Sequence, residues 1–186
     1  MKEMSVVKLS IITAVCLALC VVLPQAFHAI PRAGAIYLPM HIPVILCGLI
    51  CGWKFGLLCG VFGPALSTLF TGMPPVAVLP AMMVELGVYG LMTGLLMQLI
   101  RTNKVFVDLY ASLIIAMLAG RIIAGIVRAL IFSPGQITMA TWATSYFFTS
   151  LPGIIIQLII IPGIVYALMR ARLIPMRYAL APNQGI

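Results

Sequence analysis

A chain of 186 residues that is 63% hydrophobic and 8% charged, with a mean hydropathy of +1.22, lies outside the composition of soluble domains. Its formal net charge of +8 is spread over short segments between apolar runs. That spread points to membrane orientation and anionic headgroups rather than to nucleic acid.

A membrane-spanning helix takes about 17–25 apolar residues, and six stretches qualify: 5–23, 37–53, 55–71, 76–100, 105–131 and 146–169. The expected fold class is an all-α integral membrane protein of six transmembrane helices, with both termini cytoplasmic and residues 1–186 forming one substrate-binding domain. Charge tests the count. With the N-terminus inside, Lys2, Lys8, Lys54, Arg101, Lys104, Arg170, Arg172 and Arg177 all fall on the cytoplasmic side, and the outer segments hold only Arg32. Fusing residues 37–71 into one span would put Arg101 and Lys104 outside, against the positive-inside tendency.

The first span has an apolar core, but no small-x-small cleavage pattern follows before Pro24, so it reads as a retained helix rather than a signal peptide. Cys16/Cys20 here, and Cys47/Cys51 in the second span, have helical i, i+4 spacing. A soft-metal site needs more convergent ligands than two such pairs provide. The five cysteines instead read as small, polarizable residues at helix contacts, and no metal or other cofactor is expected.

The first outer segment, 24–36, carries His28, Pro31, Arg32 and Gly34. The second span then opens on Leu38-Pro39-Met40-His41-Ile42-Pro43. Two prolines interrupt backbone hydrogen bonding there, and irregular backbone at membrane depth belongs where it lines a cavity or is buried in protein. His41 is accordingly a candidate ligand contact or a plain interfacial polar residue. The second and third spans meet at Lys54 in a very tight inner turn, and the second outer segment is Gly72-Met73-Pro74-Pro75. Small residues recur four apart at Ala14/Ala18, Gly48/Gly52, Gly56/Gly60 and Gly90/Gly94, a spacing that lets helices approach closely in lipid.

Glu85 in the fourth span and Arg121 in the fifth are nine and ten residues from their outer ends, hence both about 14–15 Å deep at 1.5 Å per residue. Equal depth predicts an ion pair near the midplane, where a lone charge costs about 2.5–3.5 kcal/mol or more. Such a pair could fix packing, bind substrate, or both. Arg128 is seven residues beyond Arg121, so it shares nearly the same helical face about 10 Å nearer the outside. It has no assigned protein anion. It reads either as a guanidinium suited to a carboxylate or phosphate, with Arg32 and His41 assisting, or as a side chain snorkelling to headgroups. Tyr89 and Gln157 could add hydrogen bonds to the site or serve packing. The third outer segment, 132–145, holds Pro134, Gly135, Gln136 and Trp142. Long outer segments over minimal inner turns suggest a cavity that opens outward.

Several signatures are missing. The chain has no G-x-x-x-x-G-K-[ST] phosphate loop, no His-Glu-x-x-His helix and no Gly-x-Ser-x-Gly elbow. It is not expected to be an enzyme or to use ATP itself. With three acids in all, Glu85 is thin support for proton coupling. A six-span binder without a motor borrows one.

At this point the chain resembles the substrate-binding S components of energy-coupling factor (ECF) transporters, small bacterial vitamin importers. The resemblance rests on near-full length, six spans, Ala14-Val-Cys-Leu-Ala18 in the first span, Leu38-Pro39-Met40-His41-Ile42-Pro43 before Gly-rich spans, and Leu69-Phe70-Thr71-Gly72-Met73-Pro74-Pro75. The last two are similar to segments of members that handle pantothenate and other vitamin precursors. The resemblance implies a vitamin substrate, docking through Ala14 and Ala18 on a transmembrane coupling subunit with two ATPases, toppling in the bilayer to release cargo, and a place in the bacterial plasma membrane. The surplus of positive charge favours an anionic ligand, pantothenate first, over a cation. The competing readings are a proton-coupled secondary transporter using Glu85, and an intramembrane enzyme or structural subunit.

Overall fold

The computed structural model describes residues 4–26, 33–132 and 138–175, and every regular element among them is helical. Six helical segments are long and apolar enough to cross a bilayer. They are α1 (Val6–Ala26), the joined pair α2 (Ala33–Tyr37) and α3 (His41–Cys51), α4 (Trp53–Thr71), α5 (Leu79–Leu99), α6 (Val105–Val127) and α8 (Leu151–Arg170). Their bounds fall within a few residues of the hydropathy runs. One exception is the sixth: α7 (Met139–Ala143) lies in the expected outer segment, the expected opening residues 146–148 belong to a π-helical turn, Thr144–Phe148, and α8 starts at Leu151.

Backbone chemistry explains the breaks. The second span divides at Leu38, whose φ of 52° is left-handed, and restarts when the His41 amide bonds the Leu38 carbonyl at 3.0 Å. Pro43 falls in the first turn of α3, where a missing N–H costs no helical hydrogen bond. The tight turn turns on Gly52 rather than Lys54. With φ at 88°, Gly52 joins α3 to α4 alone, and its amide closes onto the Gly48 carbonyl. Such a φ suits a residue without Cβ. Lys54 lies in the first turn of α4, 5.5 Å from the Trp53 ring. At the α5–α6 turn the buried Asp108 carboxylate accepts from the Thr102 amide at 2.9 Å and its hydroxyl at 2.7 Å.

The lipid setting reverses the usual surface. Ile122, Ile126, Leu130, Ile155 and Ile159 all point outward, as expected where hydrocarbon is the solvent. Without a hydrophobic drive between helices, packing depends on close approach. The small residues supply it: a Cβ at Gly56 would overlap the Gly90 carbonyl, and one at Gly60 the Leu86 carbonyl. These contacts build α4 onto α5, the most extensive pairing in the bundle. The second span is central, 67% buried, whereas α1 is peripheral at 17%. α1 meets α3 and α4 through Thr13, Cys16 and Cys20. Cys47 lies against Cys16, Cys51 and Cys59, and Cys59 against Cys20, so the five thiols form the α1–α3–α4 seam.

The up-and-down course gathers Lys8, Lys54, Arg101, Lys104, Arg170 and Arg172 at one end of the bundle. The C-terminal ends of α1, α4 and α6 and the N-terminal ends of α3, α5 and α8 meet at the other.

Candidate functional site

That second end encloses a cavity of about 440 Å³, within the range of about 300–1,000 Å³ that small-molecule sites occupy. Its walls come from Pro24 and Gln25 at the end of α1, the Leu38–His41 break, the loop before α5, and α5 itself through Met82 and Glu85. Arg121 and Arg128 close the α6 side, and Ser145, Tyr146 and Ser150 come from the approach to α8. The loop at Met73–Pro75 is held over it by α4: the Thr68 hydroxyl donates to the Pro74 carbonyl at 2.8 Å, and the Met73 amide donates to the Thr71 hydroxyl at 3.2 Å.

The expected Glu85–Arg121 ion pair is not formed; among the described residues these two do not come within 4.0 Å. Glu85 faces His41 instead, with His41 Nε2 3.5 Å from Glu85 Oε1, and the Tyr89 hydroxyl donates to the same oxygen at 3.4 Å. Equal depth fixed only one coordinate. The rotation of α5 carries Glu85 toward the α3 start, where the Leu38 break sets His41 against it. The imidazole and phenol rings also pack together, 5.2 Å between centroids.

Arg121 takes different partners. Its Nη1 donates to Ser150 Oγ at 2.7 Å, and its guanidinium carbon sits 5.6 Å from the Phe147 ring centroid. Ser150 Oγ in turn donates to the Tyr146 carbonyl at 2.7 Å. Arg121 is 2% exposed, and its Nε and Nη2 are buried without a hydrogen-bond partner among the described residues. Arg128 begins the π-helical turn Arg128–Phe132 and lies beside Tyr146, half-buried. The extra residue in a π turn re-aims the side chains that follow α6.

The remaining sequence-derived residues divide. His41, Glu85, Arg121 and Arg128 come together in one cavity. Tyr89 is fully buried behind it, its ring so close to Gly120 that a Cβ there would overlap it; it supports Glu85 and does not line the wall. Gln157 is fully buried, both its amide atoms lack a hydrogen-bond partner among the described residues, and it is not part of the lining. Arg32 lies outside the described residues, as do His28, Pro31, Pro134, Gly135 and Gln136. Ala14 and Ala18 are exposed on α1, on the face away from Cys16 and Cys20. Ser145, Tyr146 and Ser150 were not anticipated. Their signal was present as the hydroxyl-rich run Thr144-Ser-Tyr-Phe-Phe-Thr-Ser150 just ahead of an apolar span.

A bundle of six membrane-length helices with a charged, small-molecule-sized cavity at one end defines a multi-pass membrane protein built to hold a solute. Residues 8–165 match the family model for the ECF transporter substrate-specific component, and the chain belongs to that family. It is thus a membrane substrate-binding subunit from a family of transporter components, and membership implies a small-molecule substrate and an energy-coupling module as partner. Comparison with curated proteins and with solved structures found no match.

Proposed function

We propose that this subunit captures an anionic vitamin or vitamin precursor, pantothenate being the first candidate, in the cavity between α3, α5, α6 and α8. The supporting observation is Arg121: a buried guanidinium with two unpartnered N–H positions and no carboxylate within 4.0 Å among the described residues. Such a group is costly unless an anion binds beside it. Arg128 adds a second positive charge on the same wall, against the single acid Glu85, so the lining carries a formal surplus of one. Guanidinium groups suit carboxylates through paired N–H donors.

The end bearing Lys8, Lys54, Arg101, Lys104, Arg170 and Arg172 faces the cytoplasm in this reading, by the positive-inside tendency. The cavity then opens outside, both termini lie inside, and residues 1–186 act as one substrate-binding domain in a bacterial plasma membrane. Ala14 and Ala18 on the exposed face of α1 form the contact with the transmembrane coupling subunit, which carries two ATPases.

Calorimetric titration with pantothenate and with its carboxamide, on wild type, Arg121→Gln and Arg128→Ala, tests the anion assignment. The acid should lose about 1.5–3 kcal/mol on removal of either guanidinium, the worth of a charge-assisted hydrogen bond. The amide should bind weakly and distinguish little between the proteins. Equal losses for acid and amide would assign both arginines to the fold and withdraw the anionic reading.

A further inference from the structure

The cavity has two chemically distinct walls. The α6 and α8 ends contribute Arg121, Arg128, Ser145, Tyr146 and Ser150; α3 and α5 contribute His41 and Glu85. No ion pair joins the two sets, since Glu85 and Arg121 are more than 4.0 Å from each other. Both protein contacts of the Glu85 carboxylate, from His41 Nε2 and the Tyr89 hydroxyl, fall on Oε1. Among the described residues Oε2 accepts no hydrogen bond, while Glu85 lines the cavity and keeps 13% side-chain exposure.

From this arrangement we infer that Glu85 Oε2 is a dedicated acceptor for a hydrogen-bond donor on the ligand, so that the substrate is bipartite, an acid at one end and a hydroxyl, amide N–H or amine at the other. The inference rests on the anionic reading above for its first half only. A carboxylate accepts and, while ionised, cannot donate. It therefore rewards a donor and repels a second anion or a bare carbonyl. Tyr89, wedged on Gly120, and His41, seated at the start of α3, engage Oε1 and leave Oε2 of this cavity-lining carboxylate without a protein donor among the described residues. Held in this way, the acceptor needs no reorganisation when the ligand arrives, which is the condition for strong discrimination. A site built to bond a substrate hydroxyl or amine rejects the analogue lacking it, because a buried polar group is then left unpaired. Tyr89 and His41 are positioning residues in this scheme, and Glu85 is the specificity-determining contact.

Selectivity of the wild-type protein tests this without any variant. Three probe sets would be titrated in detergent: acids with a donor (pantothenate, biotin, 4-aminobenzoate), acids without one (octanoate, lipoate), and neutral donors without an acid (panthenol, pyridoxine). The tightest binder should be an acid with a donor, about tenfold or more ahead of every acid without one, the worth of a hydrogen bond to a charged group. Glu85→Gln should shrink that margin, with the donor-free acids binding as tightly as before or more tightly once the carboxylate charge is gone, and Tyr89→Phe should shrink it less. Donor-free acids binding as tightly as the donor-bearing ones would overturn the Glu85 assignment while the anionic reading stands. Neutral donors that bind best, sensitive to Glu85→Gln but not to Arg121→Gln, would overturn the anionic reading while the acceptor stands. Equal losses across all probes on Glu85→Gln, or binding by none of the sets, would overturn the acceptor.

Discussion

Among the described residues the Arg121 guanidinium makes one hydrogen bond, to Ser150, and lies over the Phe147 ring. At 2% exposure in a medium of low dielectric, those contacts leave most of its charge uncompensated. Arg121→Met should therefore leave the ligand-free protein as stable as wild type or more so, by about 1 kcal/mol or more, while weakening binding of the acid by about 1.5–3 kcal/mol. Thermal unfolding in detergent, with and without ligand, reads both effects. A clear loss of stability in the ligand-free state would mean the protein itself neutralises this arginine. Tyr89→Phe makes a contrasting case, because its ring keeps its packing and only the bond to Glu85 goes. The expected cost is about 0.5–1.5 kcal/mol.

Helix contacts in this bundle depend on missing side chains. Gly56 and Gly90 meet backbone to backbone, so that a Cβ on either would overlap the other's carbonyl, and neither helix can give way at that point without moving as a whole. Gly56→Ala or Gly90→Ala should cost about 1–3 kcal/mol as overpacking and broaden the monodisperse peak in detergent chromatography. Gly163 in α8 is the control: an added methyl there meets nothing within 4 Å, so Gly163→Ala should raise stability by about 0.4–1 kcal/mol through helix propensity and chain entropy. Similar outcomes at the two kinds of site would show that the α4–α5 seam yields more easily than its geometry implies.

For the assembled molecule, the peripheral position of α1 matters most. Its inner face is spent on the thiol seam with α3 and α4, and its outer face offers Ala14 and Ala18 among Ile11, Val15 and Val22. Small residues on an otherwise bulky face let a partner helix approach closely. Ala14→Leu with Ala18→Leu should leave ligand binding by the isolated subunit unchanged and lower uptake when the energy-coupling module is present. Loss of binding instead would place these alanines in the subunit's own packing and cancel the docking assignment.

The amino-acid sequence alone carried the helix count, the position of the spans except the start of the sixth, the broken second span at Leu38–Pro43 and the segregation of basic residues to one end. Hydropathy, proline and charge act along the chain, and a bilayer orders helices along a single axis, so one-dimensional information suffices for depth. It also brought Glu85 and Arg121 to one depth, with His41 and Arg128 nearer the same end, and the cavity holds all four. Depth carries no azimuth. Which way α5 and α6 rotate, and which helix stands beside which, follow from close contacts such as Gly56 on Gly90 and Tyr89 on Gly120. Those contacts gave Glu85 to His41 and Tyr89, gave Arg121 to Ser150, and left Gln157 buried apart from the cavity. Partners of a charge at membrane depth are settled by helix packing in three dimensions, and no spacing within one helix encodes them.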